Sequence, residues 1–266
     1  MSIFHSEAFA KLHGIELFQY GGCVLPVKNG RSPGVGTFGG FSMGASTDAM
    51  ERVIADAKPS VVTLAPVSHD QAHFARSFNV LERAGYSVAW ADLNHDLVID
   101  ERALPERMDS GNRKKWVKFK REGFYACSLP RFDWREAWDL LSNNRQRSDR
   151  KLSMQFETIE AQERAVPGST FVFGAYQRTG LSAAAICYAL SREVFYVYAW
   201  GDACKSEFAP TVALAAFIYL DAGARGFKIL DAGISTLNGE PNPGLIRFKE
   251  SLGFKPSLKV TMCLNT

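Results

Sequence analysis

The sequence lacks several features that would place it in a class at once. It has no apolar run of about eighteen residues, the length that a membrane span needs. Its first residues (MSIFHSEAFAKLHG) lack the basic start and apolar centre of a signal peptide. The five cysteines are far apart and form no Cys-x-x-Cys pair, which argues against a disulfide framework or a zinc knuckle. We therefore expect a cytoplasmic protein with reduced cysteines.

Phosphate-loop motifs are also missing. The Gly-rich segment after residue 29 has neither a Gly-Lys-Ser/Thr ending nor a Gly-x-Gly-x-x-Gly set between a strand and a helix. We interpret its glycines as turns between strands: Gly30, Gly34, Gly36, Gly39, Gly40 and Gly44.

Histidine is scarce, and all five histidines lie at or before His95. A Ser-His or Cys-His nucleophile would therefore have to be assembled from both halves of the chain. The pair His69 and His73 has the spacing of a zinc-protease helix with Asp in place of Glu, and a third ligand could come from Asp92, His95 or Asp96. A capped, solvated helix end explains the same residues, and we expect no metal.

Positive charge is concentrated in the middle of the chain. Between Arg102 and Lys151 there are fourteen Lys/Arg and seven Asp/Glu, although the whole chain carries only +3. Residues 111–122 are predicted to form a helix on which Lys114, Lys118 and Arg121 make one basic stripe, opposite Trp116 and Phe119. The stripe is either a solvated face or a contact for a polyanion such as tRNA, a nucleotide diphosphate or an anionic lipid head group.

The first hundred residues alternate between helical and strand patterns, which predicts a small α/β unit ending near Arg102. The predicted helices are Ser6–His13, Thr47–Ala57 and Asp70–Ala84, and the predicted strands are Leu17–Tyr20, Gly22–Val27, Ser60–Ala65 and Ser87–Leu93.

The second half is organised around an antiparallel meander. Three apolar runs, 170–176, 181–190 and 194–200, are joined by connections too short for a parallel return. Residues 209–222 are apolar on nearly every side and predict a buried crossover helix, with a parallel strand, Phe227–Asp231, after it. A helix near Trp134–Asn143 precedes the meander. A loop (235–244), a short helix (245–252) and a last strand (257–263) complete the chain.

Lys249 lies inside the apolar arc of that short helix, which Leu245, Ile246, Phe248 and Leu252 define at 100° per residue. An ammonium group there either reaches water along its aliphatic stem or is held for a purpose.

The order of these elements is that of a GNAT acyltransferase core, and the chain resembles the FemABX-like branch of that superfamily. The basic helix followed by Glu-Gly-Phe (122–124) is similar to the helix that opens the catalytic half in that branch. Residues 196–202 with Ala-Pro-Thr (209–211) resemble its fourth strand and the next helix. The most specific likeness is Leu-Ile-Arg-Phe-Lys (245–249) with Leu-Gly (252–253).

The resemblance implies an α/β fold of two GNAT-like units with mixed, mostly antiparallel sheets flanked by helices. We place a degenerate first unit at 1–110 and a catalytic second unit at 111–266.

One departure concerns the donor. Many acetyl-CoA enzymes of the superfamily have a Gly-rich loop before the crossover helix, whereas residues 203–208 here (ACKSEF) contain no glycine and one acid. The usual acyl-CoA binding mode is therefore disfavoured, and the donor stays open between aminoacyl-tRNA and acyl-CoA.

Site residues follow from the resemblance and from placement. Lys249 is expected to stabilise negative charge on the carbonyl or the donor phosphate, with Phe248 shaping its pocket. Asp202 and Asp231 are the alternatives for orienting or deprotonating the amine, although each also suits a cap or turn. Tyr196, Tyr198 and Trp200 share one face of a regular strand and are expected to line the acceptor channel or to pack on the buried helix.

The resemblance implies an acyl or aminoacyl transferase that acylates an amine on a cell-envelope or polysaccharide precursor. Because the second half has no histidine, we expect direct attack by the amine without a covalent enzyme intermediate. The partners of the transferase would be a phosphate-bearing acyl donor, with tRNA as one option, and an amine-bearing precursor, in the cytoplasm or at the inner face of the membrane. The alternatives are an acyl-CoA-dependent N-acyltransferase of small molecules and a non-catalytic binder of an anionic glycan precursor or RNA.

Overall fold

The computed structural model describes residues 2–33, 38–204 and 208–265. The chain forms two compact units. The first comprises Met1–His95, Ile234–Pro243 and Pro256–Thr266, and the second comprises Asp96–Gly233 and Gly244–Lys255. Among the described residues, no helix combines the length and the apolar character needed to cross a bilayer.

The first unit combines short strands with helices whose N-termini are capped by Ser6, Ser46 and Asp70. Its helices are α1 (Glu7–His13), α2 (Thr47–Ala57) and α3 (Gln71–Arg83). Its strands are β1 (Glu16–Tyr20), β2 (Cys23–Val27), β3 (Arg31–Ser32), β4 (Val61–Thr63), most of β5 (Tyr86–Val98), β11 (Thr236–Leu237), β12 (Glu240–Pro241) and β13 (Lys255–Leu264).

Strand β13 lies between β4 and β5 in the sheet of the first unit. Its residues Thr261 to Cys263 pair antiparallel with Thr63 to Val61 of β4, and β3 pairs parallel with β4 on the other side. Strands β1 and β2 form a separate antiparallel pair. The apolar faces of α2 and α3 pack on these strands around Met50, Val53 and Leu81.

The second unit contains the meander and the crossover helix. Its helices are α4 (Leu104–Arg107), α5 (Ser110–Arg121), α6 (Trp134–Gln146), α7 (Phe156–Ala165), α8 (Pro210–Ala224) and α9 (Pro243–Ser251). Its strands are β6 (Tyr125–Ser128), β7 (Thr170–Gln177), β8 (Gly180–Ala189), β9 (Val194–Asp202) and β10 (Ile229–Ile234).

The strand order in the second unit is β10-β9-β8-β7-β6. Strands β6 to β9 are antiparallel neighbours, and β10 returns parallel to β9 after α8. The predicted meander, crossover helix and parallel strand, and the predicted short helix at 245–252 (α9), are thus confirmed. Helix α8 packs on β7, β8 and β9 and buries most of its apolar side chains, whereas Leu220 near its end is exposed.

The units divide the chain differently from the predicted 1–110 and 111–266. The boundary lies at His95, and residues 234–243 and 256–266 return to the first unit. The physical reason is strand pairing: β13 completes the sheet beside β4, and the amide of Ser235 donates to the carbonyl of Leu93 in β5. The interpretation of the first unit as a degenerate GNAT unit stays a prediction.

The histidine pair belongs to the first unit. Asp70 caps α3 through the His73 amide at 2.8 Å, as expected for a helix end, but the His73 ring is buried rather than solvated. Its Nε2 lies 3.1 Å from the carbonyl oxygen of Phe41. In the part of the chain that the structure describes, no three His, Cys, Asp or Glu side chains are grouped so that they could hold a metal ion.

The Gly-rich segment has the turn geometry expected of it at Gly30, Gly40 and Gly44, where φ is 69°, 70° and 81°. Gly34 and Gly36 lie outside the described residues.

Candidate functional site

The site is built around Lys249, which lies on the inner face of α9. Its side chain is 1% exposed and is the most buried of that helix, although three apolar neighbours stand on the same arc. The Nζ atom donates a hydrogen bond of 2.7 Å to the carbonyl oxygen of Gly233, at the carboxyl end of β10. Helical periodicity had placed this amine on the apolar face, and the fold turns it toward a strand end.

Burial is the main influence on the Lys249 amine. The pKa of this amine is lowered from 10.5 to about 7. Removal from water has the largest effect and lowers it, the nearby Asp231 carboxylate raises it, and the Arg145 guanidinium lowers it. The amine is therefore present in both its ammonium and its neutral form near neutral pH, whereas an exposed lysine is almost entirely ammonium there.

Asp231 and Gly233 form the strand end that faces Lys249. Asp231 is buried, and its Oδ1 accepts the Gly233 amide at 2.7 Å. Gly233 has a φ of 74°, and a Cβ atom there would lie 3.3 Å from the ring of Tyr196. Since Asp231 pairs with Tyr196 across the two parallel strands, the aspartate, the tyrosine and the turned backbone occupy one end of β10.

The aromatic residues of β9 do not share one face, and that expectation is wrong. The pairing of β8 with β9 shifts so that Cys187 pairs with Val197 and Ile186 with Ala199, which leaves Tyr198 as an extra residue in a β-bulge. The bulge reverses the alternation, so Trp200 joins Phe195 and Val197 in the core under α8. The shared face was predicted from the spacing of the three aromatic residues, and that spacing does not reveal a β-bulge.

The three aromatic residues consequently have different surroundings. Trp200 packs edge-on against Phe248 of α9, with ring centroids 5.7 Å apart, and so supports the helix that carries Lys249. The Tyr198 hydroxyl accepts the Met154 amide at 2.9 Å and lies 2.9 Å from the Ser153 hydroxyl. Tyr196 is the one that stands beside Gly233.

Asp202, the alternative base, is held by other residues. Its carboxylate accepts from Asn144 at 3.2 Å, and its carbonyl accepts from Asn144 and Arg147. These contacts attach the end of β9 to the end of α6. They suit a structural role, whereas Asp231 is the aspartate whose charge acts on Lys249.

Arg145 is a candidate that the sequence reasoning did not select. It stands in the last turn of α6, where burial lowers its pKa, as does Arg150, while Tyr198 and Tyr196 raise it. In the sequence it is one of the fourteen basic residues between Arg102 and Lys151, with Arg147, Arg150 and Lys151 close by. The available signal was spacing, because Arg145 continues the buried row of Trp134, Ala137 and Leu141 along α6.

The basic stripe of α5 has a different environment. Lys114 and Arg121 are exposed, while Lys118 is half-buried with its Nζ 4.6 Å from the centre of the Phe208 ring. Phe119 on the opposite side is buried, as the predicted amphipathic helix requires. Most of the loop before α8 that bears on the donor, Lys205 to Glu207, lies outside the described residues.

No protein-family model matches this sequence. The curated proteins contain no match either. Among solved structures, FemX aligns with a TM-score of 0.71 and 12% identity, over 97% of this chain and 90% of FemX. L-PGS from Bacillus licheniformis aligns with a TM-score of 0.65 and 13% identity, over 96% of this chain and 86% of its own.

A GCN5-related N-acetyltransferase from Kribbella flavida aligns with a TM-score of 0.53 and 14% identity, over 100% of this chain and 97% of its own. These likenesses confirm the predicted fold class. The chain shares its α/β fold with FemX, L-PGS and the GCN5-related N-acetyltransferase.

Proposed function

We propose that the protein is an acyl or aminoacyl transferase that acylates an amine on a cell-envelope or polysaccharide precursor. The observation that carries the proposal is the buried Lys249 amine, held 2.7 Å from the Gly233 carbonyl at the end of β10 beside Asp231. A lysine removed from water and placed at the carboxyl end of a parallel strand is typical of a group used in chemistry. The fold of FemX and of an N-acetyltransferase agrees with this assignment.

The reaction needs three things from the protein. The acceptor amine must lose a proton, the carbonyl oxygen must be stabilised as the nitrogen–carbon bond forms, and the donor oxygen or sulfur must be protonated as its bond to carbon breaks. We assign the second task to the ammonium form of Lys249. Asp231 is the better placed of the two aspartates for the first, and no side chain becomes acylated in this scheme.

Arg145 extends the assignment. The half-buried Arg145 guanidinium interacts electrostatically with Tyr198 and Tyr196 and lowers the pKa of Lys249, so it supplies a second positive charge near the site. Arginine forms bidentate hydrogen bonds with phosphate and carboxylate groups. We assign it to the anionic group of the precursor or the donor, with Tyr196 beside it.

The donor is an aminoacyl-tRNA or an acyl-CoA in this proposal, and the basic stripe favours a donor with several phosphates. The stripe also supports a second candidate of another class, a non-catalytic binder of RNA or of an anionic glycan precursor. The two differ in which residues matter: Lys249 for transfer, and Lys114, Lys118 and Arg121 for binding alone.

The test begins with melting temperatures of the full chain in the presence of acetyl-CoA, charged tRNA and nucleotide-linked amino-sugar precursors, because a ligand of the native state raises the melting temperature. The ligands that do so are then combined, and the acylated precursor is measured by mass spectrometry. Product formation by the parent protein and by the exposed-lysine control Lys255→Ala, but not by Lys249→Ala, is the expected result. Equal product from Lys249→Ala would refute the role of this lysine. Binding without product from any combination would favour the non-catalytic candidate.

A further inference from the structure

A groove in the second unit lies at the other end of β10 from Gly233. Helices α5 and α8 form its walls, and it encloses about 1030 Å³. Lys228, which lines it, precedes β10, whereas Gly233 lies five residues further along, a separation of about 16 Å at strand spacing. The groove is therefore not the Lys249 site.

The groove is apolar, and its lips are formed by exposed apolar side chains. Val117 of α5, Tyr125 of β6 and Leu220 of α8 are 52%, 58% and 68% exposed, and all three line the same groove. Small residues of α8, such as Ala216 and Gly223, line the groove and leave space between α5 and α8. Single exposed apolar residues are ordinary, but several around one cleft mark a binding surface.

The charges around the groove are unevenly placed. Arg113 and Lys120 of α5 and Lys228 before β10 stand on two sides, while Glu101 and Glu106 stand on the side of α4. Asp100 forms ion pairs with both Arg107 and Arg102, so its charge is already neutralised. Helix α5 contains no acidic residue, and two of its basic residues, Arg113 and Lys120, line the groove. The Arg113 guanidinium donates to the carbonyl oxygens of Pro105, Glu106 and Met108, which leaves the Lys120 amine as the cation that α5 presents to a ligand.

We propose that this groove binds an anionic phospholipid of a bilayer surface, with an acyl chain between α5 and α8 and the phosphate against the exposed amines of Lys120 and Lys228. An apolar trough with a basic side complements a molecule that joins a long hydrocarbon to a negative head group. The volume is at the upper end of the range for small-molecule pockets, which suits a chain better than a compact metabolite. This inference is independent of the proposed transfer reaction.

Lipid vesicles provide the binding test. The full chain is sedimented with vesicles of phosphatidylglycerol mixed with phosphatidylcholine, and with vesicles of phosphatidylcholine alone, at low and high salt. The expected result is binding to the anionic vesicles that weakens with salt and is not displaced by glycerol phosphate. Equal binding to both vesicles, no binding to either, or full displacement by glycerol phosphate would each overturn the proposal.

Matched variants locate the site. The double variant Leu220→Ser with Val117→Ser should reduce vesicle affinity by about tenfold or more, because two apolar side chains at the lips of the groove no longer contact the lipid hydrocarbon. Lys120→Gln should reduce it by about fivefold, as expected for one basic residue at an anionic surface. Phe132→Ser removes another exposed aromatic residue outside the groove and should leave the affinity unchanged. Loss of affinity in Phe132→Ser alone would overturn the assignment.

A fluorescence measurement reports the position of the acyl chain directly. Trp116 lines the groove, whereas Trp138 lies on α6 and bonds to the Met154 carbonyl. Phosphatidylglycerol with brominated acyl chains should quench the tryptophan emission of the parent and of Trp138→Phe, and should quench Trp116→Phe much less. Unchanged quenching in Trp116→Phe would contradict an acyl chain in this groove.

Discussion

Two groups of cations in the second unit differ in their contact with water. The first is the basic stripe of α5, Lys114, Lys118 and Arg121, of which the outer two are exposed. The second, which we call the buried pair, consists of the fully buried Lys249 and the half-buried Arg145, and burial lowers the pKa of both side chains. The stripe is conspicuous in the sequence because its residues are clustered, whereas the buried pair is separated by more than a hundred residues.

The difference shows which charges carry functional information. A cation in water costs little, so a cluster of exposed cations is compatible with simple solubility. A cation removed from water destabilises the fold unless it is neutralised or bonded, so its presence calls for a specific explanation. The buried pair is therefore stronger evidence for a reaction than the stripe is for a partner.

The largest effect is expected from Lys249. In the Lys249→Ala variant, loss of one donor to the developing oxyanion should lower kcat for transfer by about 10²–10³. The measurement is single-turnover formation of acylated precursor. Lys255→Ala, an exposed lysine of the same unit, should keep the parent rate. If Lys249→Ala kept a rate within twofold of the parent, the buried lysine would contribute no more to transfer than an exposed one.

The pH profile sharpens the comparison. Since the Lys249 pKa is about 7, its ammonium form decreases tenfold per pH unit above that value, while the free amine of an acceptor with an ordinary pKa near 10 increases tenfold. We therefore expect kcat/KM to rise up to about pH 7 and then to level off. In Lys249→Arg the charge persists, and the rise should continue above pH 7. A parent profile that continues to rise above pH 7 would show that the ammonium form of Lys249 is not required for transfer.

Arg145 tests whether the buried pair acts together. Arg145→Met removes a neighbouring positive charge, so the Lys249 pKa should rise and the pH at which the profile levels off should move upward. If Arg145 also holds an anionic substrate group, KM should increase by about tenfold or more, since bonds to charged groups contribute about 1.5–3 kcal/mol. The control is Arg164→Met on α7, where the arginine is exposed. If KM rose while the pH of the plateau stayed the same, Arg145 would bind substrate without influencing the pKa of Lys249.

Much of the fold could be predicted from the sequence. Short connections determined the antiparallel meander, and the all-apolar segment determined the buried α8, because both signals are local. The position of Lys249 followed from helical periodicity for the same reason. What could not be predicted depends on long-range pairing: the return of β13 to β4 at Thr261 and Thr63, and therefore the boundaries of the units.

The site was less predictable than the fold. The bulge at Tyr198 is one extra residue opposite β8, and it alone moves Trp200 to the other face of the sheet. Arg145 was overlooked because its sequence neighbours, such as Arg147 and Arg150, are exposed, although its own position continues the buried row of α6. In both cases a single position along an element decided the surroundings of the side chain.

The smallest effect is expected from the stripe. Replacing Lys114, Lys118 and Arg121 with alanine should weaken the binding of a phosphate-rich donor such as charged tRNA and should reduce the salt dependence of that binding, since fewer counterions are released. The rate at saturating donor should stay at the parent value, because these side chains are not assigned to the reacting atoms. Titration of the donor at two salt concentrations, followed by single-turnover transfer, measures both quantities. If the triple variant lost kcat as Lys249→Ala does, the exposed cations would belong to the catalytic centre, and burial would no longer distinguish the two groups.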